Sequence, residues 1–304
     1  MGLKGEYVLE GRIVNNISNL YYVKSVGANS VRPQIYECAS RGKFKNEAIS
    51  PVVGDMVEIS ILEGNKGVIE QITPRISYLK RPKIANINQI IFVVSLKNPK
   101  PDLLMLDKQL CYAEYLGIEP LIIFNKVDLV GGGALDTPSI YSKIGYKVLE
   151  MSATNENEES ALQGYLKNKI SAFAGNSGVG KSTITNSILK KNVTQIGEIS
   201  DKNKRGKNTT TNICLYEIDN NTYIADTPGF STFDITEIES IDLCKYFIEF
   251  KQYIKNCEYI GCGHIKEESC GIKEALKDGI ISEERYNRYC KIYEQLKLEE
   301  ERKW

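Results

Sequence analysis

The stretch Gly175 to Thr183, GNSGVGKST, limits what this chain can fold into more than any other. It follows the apolar run Ile170 to Ala174 and leads into a helical-looking stretch, Thr183 to Leu189. A strand, a glycine-rich loop and a helix opening on Lys-Ser wrap backbone N–H groups around phosphates. Gly175, Gly178 and Gly180 allow backbone conformations and close approaches that a side chain would block. Asn176, Ser177 and Val179 complete the loop. Lys181 is expected to reach the terminal phosphates, and the hydroxyl of Ser182 to hold Mg²⁺. Such loops usually lie near the start of their domain, whereas here a large part of the chain precedes it.

A chain of 304 residues has room for two or three domains. Its 39 basic and 39 acidic side chains cancel, so the total charge is no argument for a nucleic-acid partner, although local basic clusters can still supply phosphate contacts. No run approaches the ~18 apolar residues of a membrane span, and MGLKGEYVLEGR lacks the apolar core of a signal peptide. A cytoplasmic protein with no membrane partner is expected.

Before the loop, the segment Tyr7 to Arg75 carries five β-rich runs: Tyr7 to Val14, Tyr21 to Val26, Gln34 to Ala39, Met56 to Leu62 and Gly67 to Ile72. Turn chemistry such as Asn15-Asn16, Arg41-Gly42 and Val53-Gly54-Asp55 separates them. Five short strands predict a small closed barrel of the OB-fold type, which often binds single-stranded or irregular nucleic acid. Lys24, Arg32, Arg41, Lys43 and Lys45, interleaved with Tyr21, Tyr22, Tyr36 and Phe44, form either a phosphate-and-stacking surface or a solvated face over core aromatics. Ile76 to Asn88 reads as a linker.

Gln89 to Leu96 is a continuous apolar run of the kind buried on both faces of a parallel sheet. A helical pattern over Asp102 to Leu116 and a second apolar strand, Pro120 to Phe124, continue a doubly wound α/β sheet. That strand ends in Asn125-Lys126-Val127-Asp128, at the strand end where such sheets bind ligands. The carboxylate of Asp128 can accept two parallel hydrogen bonds from guanine N1–H and its 2-amino group, a donor pair that adenine lacks, so the motif selects GTP over ATP. Asn125 is expected at the base edge, bracing nearby loops, and the stem of Lys126 along the ring.

A short helix over Pro138 to Ile144 and a strand over Lys147 to Met151 lead to Ser152-Ala153-Thr154, whose N–H groups could meet guanine O6. A helix over Glu158 to Lys169 returns the chain to the glycine loop. Beyond it lie the basic loop Lys202 to Lys207, Asn208 and three threonines. One of Thr209, Thr210 and Thr211, with Thr210 as the candidate, would complete the Mg²⁺ shell as a switch segment does. A hairpin about Asn220-Asn221 ends in Asp226-Thr227-Pro228-Gly229. Asp226 would hold the metal through water, and the N–H of Gly229 the γ-phosphate. In ordinary GTPases the last three of these motifs come first, so this is the same cycle cut at another point, a circular permutation.

Cys257, Cys262, His264 and Cys270 bring three of the eight cysteines together with the only histidine. Three thiolates and an imidazole make a closed tetrahedral Zn²⁺ shell, structural rather than catalytic, and the other cysteines are expected to be reduced thiols. Helices are predicted over Ile238 to Lys251, Ile272 to Lys277 and Ser282 to Lys303, the last a mixed-charge helix.

Taken in this order, NKVD, GNSGVGKST, DTPG and the Cys/His cluster resemble the circularly permuted GTPases of the ribosome small-subunit-dependent GTPase A family, over nearly the whole chain. The resemblance implies an OB-like barrel over residues 1–75, a permuted P-loop GTPase domain over 76–232 and a helical zinc-binding domain over 233–304. It implies GTP hydrolysis to GDP, stimulated by the small ribosomal subunit during late assembly, with the subunit and its rRNA as partners of a monomeric protein. Other readings are a GTP-gated RNA- or ribosome-binding module with vestigial hydrolysis, or a factor for a different RNA. The intact Lys181, Ser182 and Asp226 favour the enzyme. Two positions bear on the attacking water. Phe230 follows the Asp-x-x-Gly glycine where many GTPases place a glutamine, as the resemblance leads one to expect. Asn208 stands where many relatives carry a histidine, and it cannot act as a comparable base; slow intrinsic hydrolysis follows.

Overall fold

The structure, a computed structural model, describes residues 8–26, 34–42, 44, 49–130, 136–153, 155–192, 213–227, 230 and 235–302. Arg32, Lys43, Lys45, Thr154, the basic loop 202–207, Asn208, Thr209 to Thr211, Pro228 and Gly229 lie outside the described residues. The chain divides into two compact units, one of Met1–Gln89, Gln163–Phe173 and Thr185–Phe230, the other of Ile90–Leu162, Ala174–Ile184 and Ser231–Trp304.

In the first unit, alternating residues build the expected barrel. Strands β1 (Val8–Ile17), β2 (Leu20–Ser25), β3 (Ile35–Ser40), β4 (Met56–Ile61) and β5 (Lys66–Ile72) run in the order β1-β2-β3-β5-β4, and β4 pairs back onto β1 to close it. Only the β3–β5 pairing is parallel. The inward residues of the two-residue period, among them Ile13, Val23, Cys38, Val57, Ile59 and Ile69, are buried. Burial pushes the Cys38 thiol up to about 12. Closure needs glycine at one crossing, because a Cβ on Gly11 would lie 2.5 Å from Val23 Cγ1 and 2.8 Å from the Lys24 carbonyl.

The expected linker is structured. Residues Tyr78–Lys80 (β6) and Lys83–Ala85 (β7) form a two-stranded hairpin whose Leu79, Ile84 and Ala85 are buried. It docks through a parallel bridge between Val53 and Ile84. The turn Val53-Gly54-Asp55 makes the contact possible. Gly54 has φ 93°, and a Cβ there would lie 2.0 Å from the Ala85 carbonyl. Asp55, fully buried, accepts from Val52 N–H and from both Arg75 Nε and Nη2. Sequence periodicity misses this hairpin because its strands are only three residues long.

The hairpin about Asn220-Asn221 forms as β12 (Cys214–Asp219) and β13 (Thr222–Asp226). Strand β13 runs parallel to β11 (Ile170–Ala174), and β12 meets β1 at Asn15 opposite Cys214. Lys24 and Glu217 pair beside that junction, and the Arg12 guanidinium lies 5.6 Å from the Tyr223 ring centroid.

In the second unit, β8 (Gln89–Ser95), β9 (Glu119–Asn125) and β10 (Lys147–Met151) lie side by side, with β9 and β10 parallel. Every residue of β8 is buried, the apolar Ile90 to Val94 together with the polar Gln89 and Ser95 at its ends. Helix α1 (Leu103–Leu116) is capped at its start by Asp102, which accepts from Met105 N–H at 3.0 Å, and ends on Gly117 at φ 65°. Helix α2 (Thr137–Ile144) precedes β10, and α3 (Glu156–Leu166) and α4 (Lys181–Asn192) flank β11 in the chain.

The C-terminal region holds α5 (Gly271–Lys277) and α6 (Glu283–Glu301), but the continuous helix expected over 238–251 is instead two 3₁₀ segments, Ser240–Tyr246 and Ile248–Phe250. Phe247 breaks the run with an extended backbone, φ −90° and ψ 99°. The break turns Phe247 and Phe250 together onto Tyr289 of α6, with ring centroids 5.1 and 5.0 Å away. Packing of two buried aromatics outweighs helical propensity here.

The second unit also holds a buried ion cluster with no local signal in the sequence. Arg285 of α6, fully buried, pairs with Asp107 of α1 and with Glu249. Arg288 also binds Asp107, at 2.5 Å, and Tyr141 of α2 donates to Asp107 at 2.7 Å. Phe247 lies 4.7 Å from the Arg285 guanidinium. No helix among the described residues is long and apolar enough to cross a membrane.

Candidate guanine-nucleotide site and metal centre

The glycine-rich loop takes the conformations its sequence calls for. Gly175, Gly178 and Gly180 have φ of 139°, 77° and 107°. Two of them also permit close approaches: a Cβ on Gly175 would stand 2.3 Å from the Val93 carbonyl, and one on Gly180 2.1 Å from Asn125 Nδ2. Lys181 opens α4, and its ammonium donates to the carbonyls of Gly175 and Asn176 at 2.6 and 2.7 Å. Partial burial lowers its pKa from the ordinary lysine value. The ammonium is thus tied across the loop whose phosphates it is expected to meet. Ser177, Ser182 and Thr183 are exposed, whereas Val179 is buried.

Asn125 to Asp128 sits at the end of β9. Asn125 is buried and works in two directions, donating from Nδ2 to the Val179 carbonyl at 2.8 Å and accepting from Ala153 N–H at 2.9 Å. One amide thereby joins the strand end to the glycine loop and to the Ser152-Ala153 turn. Ser152 is buried, and its carbonyl accepts from Asn155 N–H at 2.9 Å. Lys126 stands at φ 66° and donates to the carbonyls of Asn98 and, at 2.7 Å, Gly178. Val127 and Asp128 lie in a 3₁₀ turn, with the Asp128 side chain exposed. Asn176 places its amide 3.5 Å from the Asp102 carboxylate. The motifs predicted to grip base and phosphates thus meet in the second unit, and the bracing role expected of Asn125 takes the form of two hydrogen bonds.

Within the first unit, Asp226 ends β13 opposite Cys214. Phe230 N–H donates to the Thr227 carbonyl at 3.2 Å, and the Phe230 side chain is buried.

The four candidate metal ligands come together, their donor atoms all within 4.8 Å of one another. His264 Nδ1 lies 3.5 Å from Cys257 Sγ and 3.3 Å from Cys270 Sγ, and those two sulfurs are 4.0 Å apart. Zinc bonds of ~2.3 Å to sulfur and ~2.0 Å to nitrogen, set tetrahedrally, put sulfurs about 3.8 Å apart and sulfur and nitrogen about 3.5 Å apart. The donor set therefore fits Zn²⁺ in both chemistry and spacing. None of the eight cysteines is in a disulfide.

The model of the RsgA GTPase family matches residues 72–236, and that of the RsgA N-terminal domain matches residues 10–69. The chain belongs to the RsgA GTPase family. It is 42% identical over 289 residues to a small ribosomal subunit biogenesis GTPase RsgA of Ruminiclostridium cellulolyticum, covering 94% of this chain and 93% of that protein. A protein of the same name from Clostridium novyi is 40% identical over 297 residues, covering 97% and 100%. Among solved structures, YjeQ from Thermotoga maritima matches with a TM-score of 0.80 and 34% identity, over 95% of this chain and 98% of that one. YloQ, described as a circularly permuted GTPase, matches with a TM-score of 0.79 and 29% identity, over 98% of each. Membership of the RsgA GTPase family makes the chain a GTP hydrolase and implies GTP, GDP and Mg²⁺ as its ligands.

Proposed function

We propose that this GTPase binds the small ribosomal subunit during its late maturation and hydrolyses GTP when the subunit orders its switches. The observation that supports the nucleotide reading most directly is the double grip of Asn125 on Val179 and Ala153, which unites guanine and phosphate motifs far apart in the chain. The relatives named above are small ribosomal subunit biogenesis GTPases, which favours the subunit as partner.

In this reading Asp128 selects guanine, Lys126 lies along the base, and the Ser152-Ala153 turn meets O6. Gly175 to Val179 cradle the phosphates, Lys181 neutralises charge on the β,γ-bridge, and Ser182, Thr210 and Asp226 serve Mg²⁺ directly or through water. The N–H of Gly229 senses the γ-phosphate. Phe230 is buried and Asn208 cannot act as a base comparable to a histidine, so intrinsic hydrolysis is slow. The Cys/His cluster holds one structural Zn²⁺, which supplies cross-linking and no chemistry. We further propose a cytoplasmic monomer of three functional domains, 1–75, 76–232 and 233–304, whose barrel contacts rRNA.

Co-sedimentation with purified small subunits tests the nucleotide gate: binding is expected with a non-hydrolysable GTP analogue and loss of binding with GDP. Equal binding in both states would remove the gate. Substituting Asp128→Asn tests base selection, with preference expected to move from GTP to xanthosine triphosphate. Unchanged GTP affinity would refute that role.

A further inference from the structure

His264 is the chain's only histidine, and its backbone stands in the left-handed region at φ 58°. That conformation costs a residue with a side chain about 1–2 kcal/mol and persists only where the surroundings impose it. Here three side chains fasten the two peptide groups that flank its Cα. Tyr289 donates its hydroxyl to the Gly263 carbonyl at 3.0 Å, and Tyr286 donates to the His264 carbonyl at 2.6 Å. Glu267 accepts from Gly263 N–H at 2.7 Å through one oxygen, and from Ile265 and Lys266 N–H at 2.9 and 3.0 Å through the other. Lys273 of α5 donates to the Glu267 carbonyl at 2.9 Å and holds that residue's own backbone.

The ring explains why such fastening is needed. A metal-binding histidine is usually oriented by a hydrogen bond from its second ring nitrogen to a carboxylate, carbonyl or water. His264 turns Nδ1 towards the cysteine sulfurs, while Nε2 is buried without a hydrogen-bond partner among the described residues. The ring instead lies near Phe250 and Tyr289, with centroids 6.3 Å away in both cases. Aromatic packing confines the ring without choosing which nitrogen faces the ligand cluster. That choice falls to the backbone.

We propose that Glu267, together with Tyr286 and Tyr289, is the positioning device of the metal loop. It fixes the left-handed backbone of His264 and so does the work normally done by a partner on the second ring nitrogen. The inference rests on the zinc reading above. It also assigns a purpose to the two tyrosines of α6, which bear on the loop from another element and thereby register α6 against the metal.

The test compares full-length wild-type protein with Glu267→Gln, Tyr286→Phe and Tyr289→Phe. Zinc content is measured first, followed by the rate of zinc transfer to a chromophoric chelator and the visible spectrum of the cobalt(II)-substituted protein. Glutamine preserves the shape of Glu267 but turns an NH₂ towards backbone N–H donors, so a merely space-filling role would be unaffected. Glu267→Gln is expected to release zinc about 10–100-fold faster and to alter the cobalt bands. The phenylalanine variants, which lose only a hydroxyl, should shift in the same direction by less. If Glu267→Gln fails to fold, the phenylalanine variants decide the matter. Wild-type release rates and cobalt spectra in the folded variants overturn the proposal. A wild-type chain that takes up no zinc overturns the zinc reading instead.

Discussion

Replacing Asp107 with asparagine tests what holds the second unit together. Asp107 is fully buried; its Oδ1 takes Arg285 and Tyr141, and its Oδ2 takes Arg288. Asparagine keeps the volume and one acceptor for Tyr141 or Arg285, but it turns an amide donor towards a guanidinium. Two arginines are then left with Glu249 as the carboxylate among the cluster residues named above. Arg285 remains bound to Glu249, and Arg288 is stranded with its side chain 13% exposed. Leaving a buried charge uncompensated costs about 3–5 kcal/mol, and at about 2–4 °C per kcal/mol the melting temperature should fall by about 6–20 °C. Circular dichroism melts of the wild-type and variant proteins, with and without GDP, read the effect. Adding Arg288→Gln to Asp107→Asn should recover part of the loss, because it removes the stranded charge. A single-variant loss below about 1 kcal/mol, the value of an exposed pair, would show that the cluster does not secure α6 to α1 and α2.

Other consequences can be checked more briefly. Gly180→Ala should abolish binding of a fluorescent GDP analogue, since the added carbon would lie 2.1 Å from Asn125 Nδ2 at a φ of 107°; retained affinity would contradict the described loop geometry. Asn125→Ala should weaken GDP binding without changing the preference for guanine over adenine, because it frees Val179 and Ala153 and leaves Asp128 intact. Burial pushes the thiols of Cys38 and Cys214 up to about 12, so neither should be alkylated in the folded protein at pH 8, as mass spectrometry of iodoacetamide-treated protein would show. Asn208→His should raise the intrinsic hydrolysis rate, and no change would mean that water is positioned elsewhere.

Local signals in the sequence proved sufficient for the barrel strands, the longer strands of the nucleotide domain and the motifs, but not for the three-residue strands β6 and β7. The five barrel strands, β8 with its apolar run Ile90 to Val94, and the hairpin about Asn220-Asn221 announce themselves through short-range patterning and turn residues. The glycine loop, the Asn125 to Asp128 motif and the Cys/His cluster are each read within fewer than fifteen residues of chain. Features decided by long-range partners were not legible. Arg285 looks like one charge on a mixed-charge helix, and its burial depends on Asp107, 178 residues earlier in the chain. The contact of Asn125 with Val179 spans 54 residues. The stretch 238–251 carries a helical pattern, yet Phe247 breaks it to reach Tyr289. Glu267 lies inside the metal loop, but nothing in its spacing distinguishes it from Glu268 beside it.

The measurement that bears most directly on the whole account is single-turnover GTP hydrolysis by the purified protein, alone and with purified small ribosomal subunits. Hydrolysis is expected to be slow for the protein alone and accelerated by small subunits at least about tenfold, a lowering of the barrier by about 1.4 kcal/mol or more, with no comparable effect from large subunits. Fast hydrolysis in isolation, or a rate indifferent to small subunits, would contradict it.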